Sequence, residues 1–195
     1  THSGHSITLI YANTGEEDER TLQFIRLCDE VFGFRTVWLE AVVNPEKGEG
    51  TTHRVITFET ASRNGEPFEA VIQKYGIPNR SNPHCTRELK QRAMDSYLRS
   101  IGWTRYYTAI GIRPDESRRV NEKAVQQQIV YPLIDWFYMD KQDVNDWWAE
   151  QPFDLGMREH EGNCRACWKK SDAKLFLLAR ERRQVFDFSA RMEGR

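Results

Sequence analysis

Three cysteines of this chain stand in a pattern that suits soft-metal chemistry. Cys85 lies in His84-Cys85-Thr86-Arg87-Glu88-Leu89-Lys90, and the other two form Cys164-Arg165-Ala166-Cys167. A C-x-x-C run sets two thiolates on one tight turn. A third thiolate from elsewhere completes a tripod fitted to Zn or to an iron–sulfur cluster. The competing reading takes these cysteines as small buried apolar residues. The polar surroundings of the run (Gly162, Asn163, Arg165, Lys169) speak against it. Cys28 falls in a helical apolar pattern and reads as core.

A second group of residues has the chemistry of anion binding. Gly111-Ile112-Arg113-Pro114-Asp115-Glu116-Ser117-Arg118-Arg119 follows an apolar run and places arginines near a glycine. The planar fork of arginine holds phosphate or sulfate through two parallel hydrogen bonds, and a glycine lets the backbone approach a ligand. The alternative is a solvated charged turn. Asn13-Thr14-Gly15 also ends an apolar run, and alone it reads as an ordinary turn.

Alternating strands and helices must position these groups. Residues 7–12 are a short apolar strand that stops at the Asn13-Thr14-Gly15 turn. Residues 18–32 read as a helix, with Leu22, Ile25, Leu27 and Val31 at helical spacing and acids in the first turn. Residues 36–43 are a second strand and 44–52 a polar, Gly-rich loop. Residues 68–75 suggest a short helix, 86–102 a longer one with Leu89, Ala93, Tyr97, Leu98 and Ile101 on one face, and 105–110 a third strand. Residues 130–133 read as an extended edge segment. Residues 140–150 and 172–186 read as helices, the first containing Trp147 and Trp148. No repeat or low-complexity stretch occurs. The alternation predicts an α/β fold, a mostly parallel twisted sheet with helices on both faces. Ligands bind beyond the carboxyl ends of such strands, where loops 13–17 and 111–119 would lie.

Composition bounds the possibilities. A chain of 195 residues suggests one domain, residues 1–195, with 168–195 as a C-terminal helical extension. A net charge of −1 gives no global reason to expect nucleic acid or an anionic membrane as partner. Local basic runs do occur at 113–123 and 180–183. No stretch of about 18 apolar residues occurs, so a soluble protein without a membrane partner is expected. Four cysteines in a chain of this length make no disulfide scaffold. They fit a metal or redox site in a reducing, cytoplasmic setting.

Read together, these segments resemble the phosphoadenosine phosphosulfate (PAPS) reductase family, a branch of the adenine-nucleotide α-hydrolase (PP-loop) superfamily. Tyr11-Ala12-Asn13-Thr14-Gly15, with Thr21 six positions later, is similar to the family's strand and "(D/N)TG…T" turn. Gly111-Ile112-Arg113 with Glu116, Ser117 and Arg119 is similar to its "GxRxxES" sulfate-binding loop. Tyr131-Pro132-Leu133-Ile134-Asp135-Trp136, followed by Asp143-Val144 and Trp147, is similar to its "PLxDW…DVW" segment. The resemblance runs from about residue 7 to about residue 180.

The cysteines narrow the resemblance to the iron–sulfur members. Those carry a Cys-Cys pair and, at a similar distance, a C-x-x-C run that together bind a [4Fe-4S] cluster. Here 78 residues separate Cys85 from Cys164, but the pair is His84-Cys85. Three thiolates would then ligate the cluster, with His84, His160, a water or a substrate in the fourth place. Zn bound by three Cys and one His is the alternative. Two further departures bear on activity. The family's reductases use a C-terminal cysteine as nucleophile, and no cysteine follows Cys167 in this sequence. The superfamily's "SGGxDS" phosphate loop also has no match. Ser3-Gly4-His5-Ser6 is a poor substitute and precedes the wrong strand. The resemblance therefore implies a further strand, phosphate loop and helix ahead of Thr1 in the natural protein.

The resemblance implies an enzyme of sulfur metabolism that binds an adenine nucleotide (ATP, APS or PAPS) beside its metal cluster. Asn13, Thr14 and Gly15 would meet the nucleotide. Gly111, Arg113 and Arg119 would hold phosphate or sulfate, Glu116 would order the arginines, and Lys90 would add charge. The reaction would be reductive cleavage of activated sulfate by an oxidoreductase fed by an electron donor protein. The alternative is ATP-driven adenylation followed by sulfur insertion into nucleic acid, a sulfurtransferase reaction fed by a sulfur donor protein. A reading from another class is a non-catalytic binding module with structural Zn, using Trp147 and Trp148 as a stacking surface. Against it, tryptophans at helical spacing beside apolar neighbours are more often core.

Overall fold

Strand β1 (Ile10–Asn13) runs into the polar turn 14–18, and helix α1 (Glu19–Phe32) follows. Asp18 caps α1, its carboxylate accepting from the Arg20 N–H. Gly33, with φ 68°, ends it. Strand β2 (Val37–Val43) returns parallel to β1, in register Ile10↔Val37 to Asn13↔Glu40. This is a β–α–β unit, since parallel neighbours need a crossover and α1 supplies it. Strand β3 (Thr51–Ile56) then pairs antiparallel with β2. The protein is seen here as a computed structural model, which describes residues 6–46, 48–162 and 164–194. Ser3, Gly4 and His5, weighed above as part of a phosphate loop, lie outside the described residues.

Helix α2 (Glu66–Tyr75) follows, with Pro67 in its first turn. Next comes a helix whose opening turn, Arg87–Gln91, is wound wide as a π-turn before α3 (Arg92–Ser100). These segments form one compact unit with the later stretch that carries α6 (Asp172–Glu181) and α7 (Asp187–Glu193), spanning Thr1–Ile101 and Leu155–Arg195. Its core has two clusters. Leu22, Trp38 and Ala61 gather with Tyr11, Ile25, Ile56 and Phe58, and Tyr11 meets Trp38 edge-on at 4.9 Å. Ala41, Val71, Leu89 and Ala93 gather on the other face of the sheet, with Val43, Phe68, Tyr75 and Cys85 against them. The alternation along β2 explains the division, since Trp38 and the neighbouring strand positions supply opposite faces.

The second compact unit is Gly102–Asp154. It contains two short parallel strands, β4 (Thr108–Ala109) and β5 (Ile129–Val130), then α4 (Pro132–Asp135) and α5 (Lys141–Ala149). Asp140 and Asp143 close a reciprocal capping box at the start of α5.

The fold is thus mixed α/β, with small sheets. The broad parallel sheet expected from the alternation is replaced by a three-stranded sheet with one antiparallel edge and a two-stranded ribbon. Two segments account for the difference. The polar loop expected over 44–52 gives way at Thr51 to β3, whose Thr51-Thr52-His53-Arg54 carries no apolar pattern. The strand is an edge, and Val55 is 61% exposed. The expected strand 105–110 shortens to two paired residues. The expected helix 172–186 ends at Glu181, and a short tight turn (Arg183–Phe186) leads into α7. Trp147 and Trp148, weighed above between core and stacking surface, meet edge-on at 4.8 Å; Trp147 is 42% exposed on α5 and Trp148 half-buried. No helix among the described residues is long and apolar enough to cross a membrane.

Candidate functional site

The carboxyl end of β1 gathers most of the polar chemistry of the first unit. Gly15 takes φ 80°, and a Cβ there would stand 2.9 Å from Gly65 Cα and N, so only glycine fits. The Gly65 N–H donates to the Gly15 carbonyl at 3.0 Å, tying the turn to the start of α2. The Asn13 amide is fully buried. It donates to Glu40 Oε1 at 2.6 Å and to the Ser62 carbonyl at 2.9 Å. Its oxygen accepts from the Gly15 N–H at 3.3 Å. Asn13 and Gly15 therefore build the turn with all their polar groups engaged internally.

Thr14 is the residue of this turn that reaches the cysteines. Its N–H and hydroxyl both donate to Glu17 Oε2, at 2.9 and 2.8 Å. Its Oγ1 lies 3.7 Å from Cys164 Sγ, and Glu17 Oε1 lies 3.9 Å from the same sulfur. The backbones of Glu17 and Cys164 pair as an isolated antiparallel bridge. Arg165 strengthens this join. Its N–H donates to the Glu16 carbonyl at 2.8 Å, and its guanidinium to Glu16 Oε1 at 2.7 Å and the Arg63 carbonyl at 3.2 Å. Lys90, on the π-turn, places Nζ 3.7 Å from Glu17 Oε1. The structure thus brings Asn13, Thr14, Gly15 and Cys164 into one polar neighbourhood, with the half-exposed Lys90 at its edge.

Electrostatics there favour neutral forms. Burial, reinforced by the Glu17 charge, pushes the Cys164 thiol up to about 12, against the pull of Lys90. Burial also raises Glu16, although the Arg165 hydrogen bond opposes it. Glu16, Glu17 and Arg165 are contributors that motif reading missed. The run Glu16-Glu17-Asp18 looks in sequence like the acidic start of a helix. Only the partner segments, some 150 positions away, show that all three are buried.

The metal-donor residues are only partly assembled. Cys164 and Cys167 share a turn closed by the Cys167 N–H on the Cys164 carbonyl at 3.2 Å. Cys85 begins the helix that leads into the π-turn and is half-buried against the Ala41, Val71, Leu89 and Ala93 cluster. His84 is buried, and its Nδ1 lies 3.1 Å from the Asn82 carbonyl. A carbonyl only accepts, so Nδ1 is the donor. Nε2 is buried and has no partner among the described residues, and a histidine whose Nδ1–H is held by a carbonyl can offer Nε2 to a metal. His160 is engaged differently, with Nε2 3.3 Å from Glu181 Oε2. These donors suit a soft metal in kind. Among the described residues, however, no three His, Cys, Asp or Glu side chains converge to hold an ion. As it stands the arrangement does not fit a three-thiolate cluster.

The arginine loop belongs to the second unit and follows the carboxyl end of β4. Gly111 adopts no positive φ, and a Cβ on it would meet nothing within 4 Å. The Arg113 fork closes on Asp115 at 2.9 and 2.8 Å, with Glu116 at 3.4 Å. Arg119 also pairs with Glu116. Glu116 thus engages both arginines, and Asp115, absent from the motif, occupies the face that would hold an anion. Farther on, the Asp135 carboxylate accepts from the Tyr131 N–H at 3.0 Å, and the Tyr131 hydroxyl accepts from the Asn121 N–H at 2.9 Å. The "PLxDW"-like segment therefore braces its own unit.

Comparison with known proteins adds one relative. Over 183 residues, 92% of its length, the chain is 32% identical to the "Uncharacterized nin region protein ORF290" of Escherichia phage lambda. The chain spans 62% of that relative's length. No family model matches the chain, and no solved structure matches it.

Proposed function

We propose that this chain is a PAPS-reductase-like protein of the cytoplasm that binds an adenine nucleotide or sulfonucleotide and performs sulfur chemistry on it. The observation that carries this reading is the meeting of Thr14 and Cys164, 150 positions apart, at 3.7 Å. Two segments singled out independently, the "(D/N)TG"-like turn and the C-x-x-C run, are thereby neighbours at the carboxyl end of a strand. Ligands bind at such ends in parallel α/β folds. Arg113 and Arg119 are the anion-holding groups of the reading, released from Asp115 and Glu116 when a sulfate or phosphate takes their place. Lys90 supplies a positive charge beside Glu17 and Cys164.

Two reactions fit this reading: reductive cleavage of an activated sulfate, and adenylation with ATP followed by sulfur transfer to an acceptor such as nucleic acid. A [4Fe-4S] cluster, or Zn in its place, belongs to the same proposal through Cys85, Cys164 and Cys167, with His84 as fourth donor.

The deciding experiment is metal and acid-labile sulfide analysis of protein purified without oxygen, followed by calorimetry with ATP and with PAPS. About four Fe and four sulfide per chain, lost in Cys164→Ala, support the cluster. Tighter binding of ATP supports adenylation, and tighter binding of PAPS supports sulfate reduction. Stoichiometric Zn with neither nucleotide bound would replace the proposal with a structural binding module.

A further inference from the structure

The C-x-x-C turn continues into a cavity of about 210 Å³. Cys167, Lys169, Lys170, Ser171, Lys174 and Glu159 line it. Three lysines against one glutamate leave its wall with excess positive charge. Its donors are only partly occupied. Lys170 Nζ donates to the carbonyls of His160, at 2.9 Å, and Gly162. An ammonium has three N–H donors, so one remains. Lys174 uses one donor on Glu159 at 2.9 Å. Lys169 Nζ lies 5.4 Å above the Trp168 ring. Ser171 precedes α6, and its hydroxyl makes no capping hydrogen bond.

Size and charge select the ligand. The volume lies below the ~300 Å³ at which pockets for drug-sized ligands begin, so a small ligand matches it best. The Glu159 side chain is 71% exposed, so its pair with Lys174 is a surface ion pair that an incoming anion displaces at little cost. We infer that this cavity binds a small tetrahedral oxyanion of sulfur or phosphorus beside Cys167. The site is independent of the nucleotide reading, because none of its residues lies in the "(D/N)TG"-like turn or the arginine loop.

Calorimetric titration of the whole chain with sodium sulfate and with sodium phosphate tests the inference, with sodium chloride at matched ionic strength as reference. One saturable anion per chain is expected. A preference for sulfate or for phosphate identifies the source of the oxyanion. The double variant Lys169→Gln/Lys174→Gln should weaken binding by on the order of tenfold or more, and Glu159→Gln should tighten it. Heat no greater than that of chloride would overturn the inference, as would unchanged affinity in the double variant. Saturable binding of a single-stranded oligonucleotide without binding of the free anions would make the cavity part of a polyanion surface instead. Should the double variant not fold, Glu159→Gln decides, since unchanged or weaker affinity there removes the site.

Discussion

Glu17 and Cys164 pair backbone to backbone and carboxylate to sulfur, although they stand 147 positions apart in the chain. The carboxylate also takes both donors of Thr14, so one acidic side chain fastens the β1 turn to the C-x-x-C segment. Glu17→Ala would leave the buried Thr14 N–H and hydroxyl without an acceptor and Lys90 without its anion. The expected loss is about 1–3 kcal/mol in urea unfolding. Cys164 should become more reactive to thiol reagents in the same variant. Glu17→Gln keeps one acceptor and should lose less. Equal stability of Glu17→Ala and wild type would mean that the join contributes nothing.

The two halves of this join were legible to different degrees. The apolar runs of β1 and β2 and the periodicity of α1 are local features, so a β–α–β unit could be read from residues 7–43. The apolar face expected around Leu89, Ala93 and Leu98 is buried as the spacing requires, although Ile101 at its end is 44% exposed. Other features rest on distant partners. Glu40 breaks the apolar run of β2. It is fully buried because Asn13, Ser62 and Arg54 all donate to it. The π-turn that carries Lys90 has no marker in the sequence. Asp115 reads as an ordinary turn residue until its bond to Arg113 is seen. The candidate site residues were found by motif, but the acids that organise them were not. Each acid acts through a partner that local spacing cannot specify.

Gly65 carries a second packing constraint. It takes φ 83°, and a Cβ there would stand 2.3 Å from the Phe188 ring of α7. Phe188 in turn packs on Phe68 of α2 with ring centroids 5.5 Å apart. Gly65→Ala must both strain the backbone and displace α7. A loss of about 2–4 kcal/mol is expected. Because the two residues are in contact, Gly65→Ala and Phe188→Ala should combine to less than the sum of their separate losses. Strict additivity in thermal unfolding would show that α7 does not rest on this turn.

Acid stability should depend on Asp18. Burial opposes its ionisation, but hydrogen bonds from Arg20 and Arg182 outweigh that and hold its carboxyl at about 2, below the ordinary 3.8. Glu161 shares both arginines, and the Arg20 hydrogen bond above all holds it below the usual carboxylate range. A depressed folded-state value contributes stability that is complete above the unfolded value and is lost as pH falls through the folded one. Asp18 therefore protects the fold at neutral pH, and this protection should fade from pH 3.8 towards about 2. Asp18→Asn should lower stability at pH 7 and flatten the acid limb over that window. An acid limb of unchanged slope would show that the arginine contacts do not discriminate between the folded and unfolded states.

Arg113 offers the most direct test of the anion-binding loop. Its fork closes on Asp115, and Glu116 stands between it and Arg119. An anion must therefore compete with the loop's own carboxylate. Arg113→Ala removes charged hydrogen bonds and should weaken sulfonucleotide or ATP binding by roughly tenfold or more. Asp115→Asn acts in the opposite direction. It removes the competing charge but leaves the fork, so affinity should rise by up to about fivefold, the scale of an exposed ion pair. Arg113→Ala/Asp115→Asn should bind as weakly as Arg113→Ala, because Asp115 acts only through that guanidinium. Opposite signs in the two single variants, measured by calorimetry at constant ionic strength, identify Arg113 as the anion-holding group. Weaker binding in Asp115→Asn would instead give the pair a purely structural role in setting the loop.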